Sequence, residues 1–202
     1  MFAPQYARIP PAWFYPRILV GPGCFLSPRF VSENTITFVI NCAYDEDSPT
    51  WWRVSSPTRY VCLNARDSIY DNILVWYPAF EAAMQRGLRD LPGNVYVHCQ
   101  AGMNRSGCLA LAYVCSHYQL PFENVVSATR LQRPILFQNQ VFMNQVQEFI
   151  KNGRVSSEKN TRLDVDRVHD RDSGLFAPGD HPGASGDEDD AAESKGGEGR
   201  VV

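Results

Sequence analysis

Short runs of apolar, often β-branched residues alternate along the chain with longer runs that have helical periodicity. A short apolar run bounded by turn residues is typical of a buried strand. Four such runs predict strands at residues 18–21, 35–40, 60–63 and 95–97. Stretches with helical spacing of apolar residues, or apolar on all sides, predict helices instead. These stretches are residues 72–90, 107–117, about 121–131, and a last segment that contains Phe142 and ends near Lys151.

Because strands and helices alternate, and helices fill the second half, the pattern predicts the α/β class. We expect a central, mostly parallel sheet flanked by helices. Residues 1–16 are rich in Pro and aromatic residues, which favours an extended arm lying on the core rather than a helix. The acidic segment that contains Trp51 and Trp52 is expected to be a loop.

The character of the chain changes near residue 153. Residues 153–202 are mostly small and acidic residues with scattered apolar ones, and such a segment buries too little apolar surface to fold alone. The predicted organisation is an N-terminal arm over 1–16, a folded domain over 17–152 and a disordered acidic tail over 153–202. The net charge is −3 overall, made of +2 for residues 1–152 and −5 for the remainder. With no basic stripe, nucleic-acid binding is disfavoured.

The six cysteines are expected to be reduced thiols, since the chain starts without a signal-peptide pattern. No run of 18 apolar residues predicts a membrane span. These features predict a location in the cytoplasm, with the nucleus as an alternative. No cluster of His and Cys has zinc-ligand spacing, so we expect no metal and no cofactor. The cysteines are Cys24, Cys42, Cys62, Cys99, Cys108 and Cys115.

One segment combines a nucleophile with an anion-binding loop. A predicted strand runs into Cys99, Gly102 allows a tight turn, and a buried helix starts near Arg105. A strand, loop and helix in this order point successive backbone N–H groups into one concavity at the positive end of the helix dipole. The sequence therefore predicts a phosphate-binding loop formed by Gln100, Ala101, Gly102, Met103, Asn104 and Arg105.

The side chains of this segment suggest phosphoryl transfer. The N–H groups of the loop would stabilise the thiolate of Cys99, which can attack phosphorus and form a phosphocysteine. Arg105 can bind two phosphoryl oxygens as charge builds in the transition state. Ser106 offers a hydroxyl that could stabilise the sulfur when it leaves again, and His98 is expected to order the loop by hydrogen bonding.

The reaction also needs an acid that protonates the leaving oxygen. Asp67 follows the predicted strand 60–63 and would lie at the same edge of the sheet as Cys99. Asp71 is the alternative, and Asp45 and Asp47 are weaker ones. From the residues alone, Asp67 is only modestly favoured over Asp71.

The segment from His98 to Ser106 resembles the signature of the cysteine-based protein tyrosine phosphatases, and other motifs resemble the dual-specificity branch. The resemblance covers about residues 16–150, with departures at Gln138, where Pro is usual, and at Val141, where Gly is common. The other matching motifs are Ile18-Leu19-Val20-Gly21, Ile36 to Ala43, Ala112-Tyr113, Arg133-Pro134-Ile135, Asn139, Phe142 and Gln145.

The resemblance implies a dual-specificity phosphatase fold and makes 17–152 the catalytic domain. It implies hydrolysis of phosphotyrosine and of phosphoserine or phosphothreonine on proteins through a phosphocysteine, without a metal. It also identifies Asp67 with the general acid of the family. Residues 104–107 are more similar to the small poxvirus-type enzymes, which suggests a viral origin. A viral protein of this kind would be located in the virion. Whether the N-terminal arm forms a homodimer stays open.

Two alternatives differ in class. An RNA 5′-triphosphatase of the same superfamily also has Asn and Arg at positions 104 and 105, but it typically has His where this chain has Ala101. A pseudophosphatase would bind phosphoproteins without turnover, yet such proteins usually lack the Cys or the Arg that this chain retains as Cys99 and Arg105. A phosphoinositide phosphatase is disfavoured because residues 100–104 carry no cation.

Overall fold

Five strands form one sheet in the computed structural model, which describes residues 4–153. The spatial order is β1-β2-β5-β3-β4. Strand β1 is antiparallel to β2, and all other neighbouring pairs are parallel. The predicted α/β class with a mostly parallel sheet is therefore confirmed. The strands are β1 (Ala12–Tyr15), β2 (Ile18–Pro22), β3 (Ile36–Asn41), β4 (Tyr60–Cys62) and β5 (Asn94–Cys99).

Six α-helices accompany the sheet in the described part of the chain, together with several short 3₁₀ turns. The four helices predicted from periodicity are all present. Pro78 lies in the first turn of the third helix, where a missing N–H does no harm. The helices are α1 (Pro28–Glu33), α2 (Thr50–Ser55), α3 (Tyr77–Asp90), α4 (Arg105–His117), α5 (Phe122–Gln132) and α6 (140–153).

The parallel register brings the functional loops to one edge of the sheet. In the strand β5, Cys99 lies opposite Pro22 of β2, and His98 lies opposite Asn41 of β3. The carboxyl ends of β2, β3 and β5 therefore meet, and β4 ends beside β3. Ligands of open parallel sheets bind at this edge.

Both faces of the sheet are covered, because side chains alternate along the strands. Val95 and Val97 of β5 belong to the larger core, which α3, α4, α5 and α6 cover. The helix α4 is buried from Arg105 to Cys115. Tyr96 points to the other face and belongs to a smaller core with Leu19 and Trp52.

Two expectations for the N-terminal third need correction. The segment around Trp51 and Trp52 is not a loop, because Thr50–Ser55 form α2 and bury Trp52 to 4% exposure against the sheet. The arm is extended only in part: Ala12–Tyr15 join the sheet, and Gln5–Arg8 form a 3₁₀ turn. The predicted tail lies outside the described residues except for residue 153. The three domain boundaries stay a prediction.

Candidate active site

Cys99, the last residue of the strand β5, lies at the base of a tight loop. Cys99 is 1% exposed. The loop 100–104 leads directly into α4, which begins with Arg105. Gly102 has a φ of 60°, and a Cβ at this position would lie 2.1 Å from the carbonyl carbon of Gly21. Glycine is thus required both by the turn and by the close approach to β2.

The hydroxyl of Ser106 lies beside the sulfur of Cys99. The Ser106 Oγ donates a hydrogen bond to the Cys99 Sγ at 3.2 Å, and Ser106 is fully buried. Cys99 ends β5 and Ser106 lies in the first turn of α4, so the loop 100–104 turns back far enough to bring these two side chains into contact. The structure therefore brings together the predicted nucleophile, Cys99, and the residue predicted to stabilise its sulfur, Ser106.

Arg105 and Asp67 lie at the same site. The Nη1 of Arg105 donates to the carbonyl of Ala65 at 3.0 Å, and its Nε lies 3.9 Å from the Oδ2 of Asp67. Arg105 is 6% exposed as a residue, whereas the side chain of Asp67 is 30% exposed. The segment that follows β4 thus places a partly accessible carboxyl group next to the guanidinium.

Two amides hold the carboxylate of Asp67. The Nδ2 of Asn104 donates to its Oδ2 at 3.1 Å, and the Nδ2 of Asn139 donates to its Oδ1 at 3.2 Å. The Oδ1 of Asn104 accepts from the backbone N–H groups of Gln138 and Asn139 at 2.8 and 3.0 Å. Asn139 entered the sequence prediction only as part of a motif. Its contact with Asp67 spans 72 positions and has no local signal.

The alternative acids have other partners. The carboxylate of Asp71 pairs with Arg66 at 2.9 Å, and that of Asp45 pairs with Arg53 at 2.9 Å. The Oδ2 of Asp47 accepts from the backbone N–H of Tyr44. Contacts of this kind are common for Asp side chains in loops and turns and require no catalytic role. They favour Asp67 as the carboxyl group that faces the loop.

His98 directly precedes Cys99 in β5, and its side-chain hydrogen bond goes to Ser48, outside the loop. It is fully buried, and a hydrogen bond of 2.7 Å joins its Nε2 to the Oγ of Ser48. Burial lowers the pKa of His98 to about 3, and the charge of Arg105 acts in the same direction. The imidazole is therefore neutral near pH 7. Ser48 was missed by the sequence analysis, because a serine 50 positions away gives no local signal.

Burial also affects the thiol of Cys42, which lies near Cys99. Cys42 follows β3 directly and donates its backbone N–H to the carbonyl of His98 at 2.7 Å. Burial raises its pKa well above the ordinary value, and the neighbouring Cys99 raises it further. Cys42 is thus a neutral thiol in the core beside the site.

Within residues 4–153, no group of three or more His, Cys, Asp or Glu side chains is placed to hold a metal ion. No helix in this range is both long and apolar enough to cross a bilayer.

Comparison with solved structures gives the class of the fold. The crystal structure of DUSP15 superposes with a TM-score of 0.61 at 25% sequence identity, over 76% of this chain and 93% of that one. The fold is therefore that of the dual specificity phosphatases.

The family model described as "Dual specificity phosphatase, catalytic domain" matches residues 20–152, and the chain belongs to this family. It is 28% identical to mouse dual specificity protein phosphatase 19 over 133 residues, which are 65% of this chain and 56% of that protein. It is 29% identical to zebrafish dual specificity protein phosphatase 22-B over 119 residues, which are 59% of this chain and 62% of that protein. The chain thus spans less than two thirds of these relatives.

The neutral His98 predicts a loss of stability in acid. In the unfolded chain its pKa is about 6.5, so the unfolded state binds a proton first as the pH falls. The free energy of unfolding should then decrease by up to about 1.4 kcal/mol per pH unit between about pH 6.5 and pH 3. In His98→Gln this contribution is absent. Urea unfolding at pH 7.5 and pH 5 should show a decrease about 2 kcal/mol larger for the wild type than for the variant.

A control for this comparison is His117→Gln, since His117 is exposed at the end of α4. It should keep the wild-type difference between the two pH values. An equal pH dependence of the wild type and His98→Gln would contradict the assignment of a buried, neutral imidazole.

Proposed function

We propose that this chain hydrolyses phosphotyrosine and phosphoserine or phosphothreonine on proteins through a phosphocysteine at Cys99. The observation that carries the proposal is the hydrogen bond from Ser106 to the Cys99 sulfur at the start of the helix that also bears Arg105. Asp67 lies at the same edge, 3.9 Å from Arg105. These contacts support a site in which Cys99 is the nucleophile, Arg105 the cation and Asp67 the acid for a bound phosphate.

In the first step, the thiolate of Cys99 attacks phosphorus and the bond to the leaving oxygen breaks. The N–H groups of residues 100–105 and the guanidinium of Arg105 bind the phosphoryl oxygens, whose charge grows in the transition state. Asp67 in its protonated form gives its proton to the leaving alkoxide or phenoxide. The products of this step are the dephosphorylated side chain and the phosphocysteine.

In the second step, water attacks the phosphorus of the phosphocysteine. Asp67, now a carboxylate, takes a proton from this water, and the bond between phosphorus and sulfur breaks. The hydroxyl of Ser106 donates to the sulfur at 3.2 Å, which stabilises the thiolate as it leaves. Inorganic phosphate and the free enzyme result.

Asn104 and Asn139 have a positioning part in both steps. Their amide groups donate to the two oxygens of Asp67, which fixes the carboxyl group relative to the loop. Because Asn104 also belongs to the loop, a change in loop conformation would move the acid. We propose that phosphate binding and the position of the acid are coupled through this residue.

The alternatives remain less favoured. The uncharged residues 100–104 offer no extra cation for a triphosphate, which argues against an RNA 5′-triphosphatase. The assembly of Cys99, Arg105 and Asp67 at one edge argues against a pseudophosphatase. The N-terminal homodimer and the cytoplasmic, nuclear or virion location stay predictions.

The substitution Cys99→Ser tests the nucleophile. A hydroxyl in this loop is a far weaker nucleophile than a thiolate, so kcat on p-nitrophenyl phosphate should fall by about 10⁴-fold or more. The wild type should hydrolyse phosphotyrosine and phosphothreonine peptides faster than the triphosphate end of RNA. Calorimetric titration should still show binding of the phosphopeptide to the variant.

The matched control is Cys24→Ser, which changes an exposed thiol and should keep wild-type kcat. Turnover by Cys99→Ser near the wild-type rate would rule out Cys99 as the nucleophile. Faster hydrolysis of triphosphate RNA than of phosphopeptides by the wild type would favour the triphosphatase.

The substitution Asp67→Asn tests the acid. Phosphoserine peptides have a poor leaving group and depend on protonation, so their kcat should fall by about 10²- to 10⁴-fold. p-Nitrophenolate leaves without a proton, so hydrolysis of p-nitrophenyl phosphate should fall much less. Asp71→Asn is the control and should leave both rates near those of the wild type. An equal loss on both substrates in Asp67→Asn would place the acid elsewhere.

A further inference from the structure

Arg133 is a fully buried cation without a carboxylate partner among the described residues. Its guanidinium makes five hydrogen bonds, and all five acceptors are main-chain carbonyl oxygens. Burial of a charge is costly unless hydrogen bonds compensate it. An arginine in such surroundings is therefore expected to hold its acceptors in place firmly.

Two of the acceptors belong to the predicted phosphate-binding loop. The Nε of Arg133 donates to the carbonyl of Gly102 at 2.9 Å, and its Nη2 donates to the carbonyl of Ala101 at 2.8 Å. The next carbonyl, that of Met103, accepts from the backbone N–H of Phe137 at 3.1 Å. Three consecutive carbonyl groups of the loop are thus held by groups from the segment after α5.

The orientation of these carbonyl groups determines that of the amides. In a planar trans peptide, the C=O and the N–H point in opposite directions. The N–H groups of Gly102, Met103 and Asn104 therefore point away from Arg133 and Phe137. These N–H groups are among those that the proposed mechanism needs for binding phosphoryl oxygens.

The other side of the same guanidinium holds the N-terminal segment. Its Nη2 donates to the carbonyl of Tyr6 at 3.2 Å, and its Nη1 donates to the carbonyls of Ile9 and Pro10, the latter at 3.1 Å. Residues 6–10 thus lie over Arg133, and one fork of five donors joins them to the loop.

The charge of Arg133 adds to this effect. Burial lowers its pKa, and the neighbouring Tyr96, Cys99 and Cys24 oppose this shift. A guanidinium still stays charged in proteins. Its charge polarises the two loop peptides that it binds, which makes their N–H groups better donors to an anion.

We propose that Arg133 is a positioning residue for phosphoryl transfer. By holding the carbonyls of Ala101 and Gly102, it orients the two peptide groups so that the N–H groups of Gly102 and Met103 face the phosphate. Residues 6–10 in turn fix the orientation of the Arg133 guanidinium. This inference rests on the proposed function. It assigns the N-terminal segment a part in the integrity of the loop.

Arg17 offers a matched control. It also places its guanidinium on main-chain carbonyls, donating to Gly93 at 2.8 and 2.9 Å and to Leu88 at 2.9 Å. These contacts lie at the start of β2 and β5, at the opposite edge of the sheet. Arg17→Gln therefore removes a similar set of hydrogen bonds without touching the loop.

The experiment compares Arg133→Gln with Arg17→Gln in the full chain. The measured quantities are the melting temperature, kcat on p-nitrophenyl phosphate and the inhibition constant of orthovanadate. Both variants should melt at lower temperature. Arg133→Gln should lower kcat by about tenfold to hundredfold and weaken vanadate binding by at least about tenfold, as expected for misdirected oxyanion donors. Arg17→Gln should stay within about twofold of the wild type in both constants.

Arg133→Lys is the second variant, since an ammonium keeps the charge but cannot bind both loop carbonyls in the fork geometry. Its kcat and vanadate affinity should also be reduced. Values within twofold of the wild type in a folded Arg133→Lys or Arg133→Gln would overturn the inference. A wild type that neither turns over p-nitrophenyl phosphate nor binds vanadate would instead refute the proposed function.

If neither Arg133 variant folds, a measurement on the wild type tests the inference instead. Hydrogen–deuterium exchange is followed with and without vanadate. Vanadate should slow exchange in the peptides that cover residues 5–11, because the loop, Arg133 and the N-terminal segment share one set of hydrogen bonds. Exchange in residues 5–11 that is insensitive to vanadate, while the loop itself becomes protected, would overturn the inference.

Discussion

The proposed site depends most on hydrogen bonds that hold the carbonyl groups between Cys99 and Arg105 pointing away from the centre of the loop. A loop that gathers N–H groups around an anion must place its carbonyl oxygens on the opposite side, where water is scarce and each oxygen needs a donor. Arg133 supplies donors to Ala101 and Gly102, and Phe137 supplies one to Met103. In the proposed function, the loop that binds the phosphate is therefore held in shape by Arg133 and Phe137, which bond its carbonyl groups.

The local part of the site could be predicted from the sequence. A strand before Cys99, a glycine at position 102 and an apolar helix after Arg105 are encoded within about twenty residues, and each has its own pattern. Asp67 could be placed at the right edge because parallel strands end together. The family membership follows from the same motifs and is confirmed by the match over residues 20–152.

The supporting contacts could not be predicted, because they join residues that are far apart in the chain. Ser48 reaches His98 over 50 positions, and Asn139 reaches Asp67 over 72 positions. The helix α2 was missed for a related reason: the burial of Trp52 against the sheet, rather than the helix propensity of its neighbours, stabilises it. Periodicity predicts the long helices and the buried strands, whereas a short helix such as α2 and the partners of buried polar groups are decided by the tertiary fold.

In the proposed reaction, the phosphoryl group held by this loop becomes covalently bound to the sulfur of Cys99. The most direct measurement is rapid acid quenching of the full chain during turnover of an aryl phosphate, followed by peptide mass mapping. A phosphoryl adduct on Cys99 that forms and decays with turnover is the result expected. Turnover without such an adduct, or with the adduct on another residue, would contradict it.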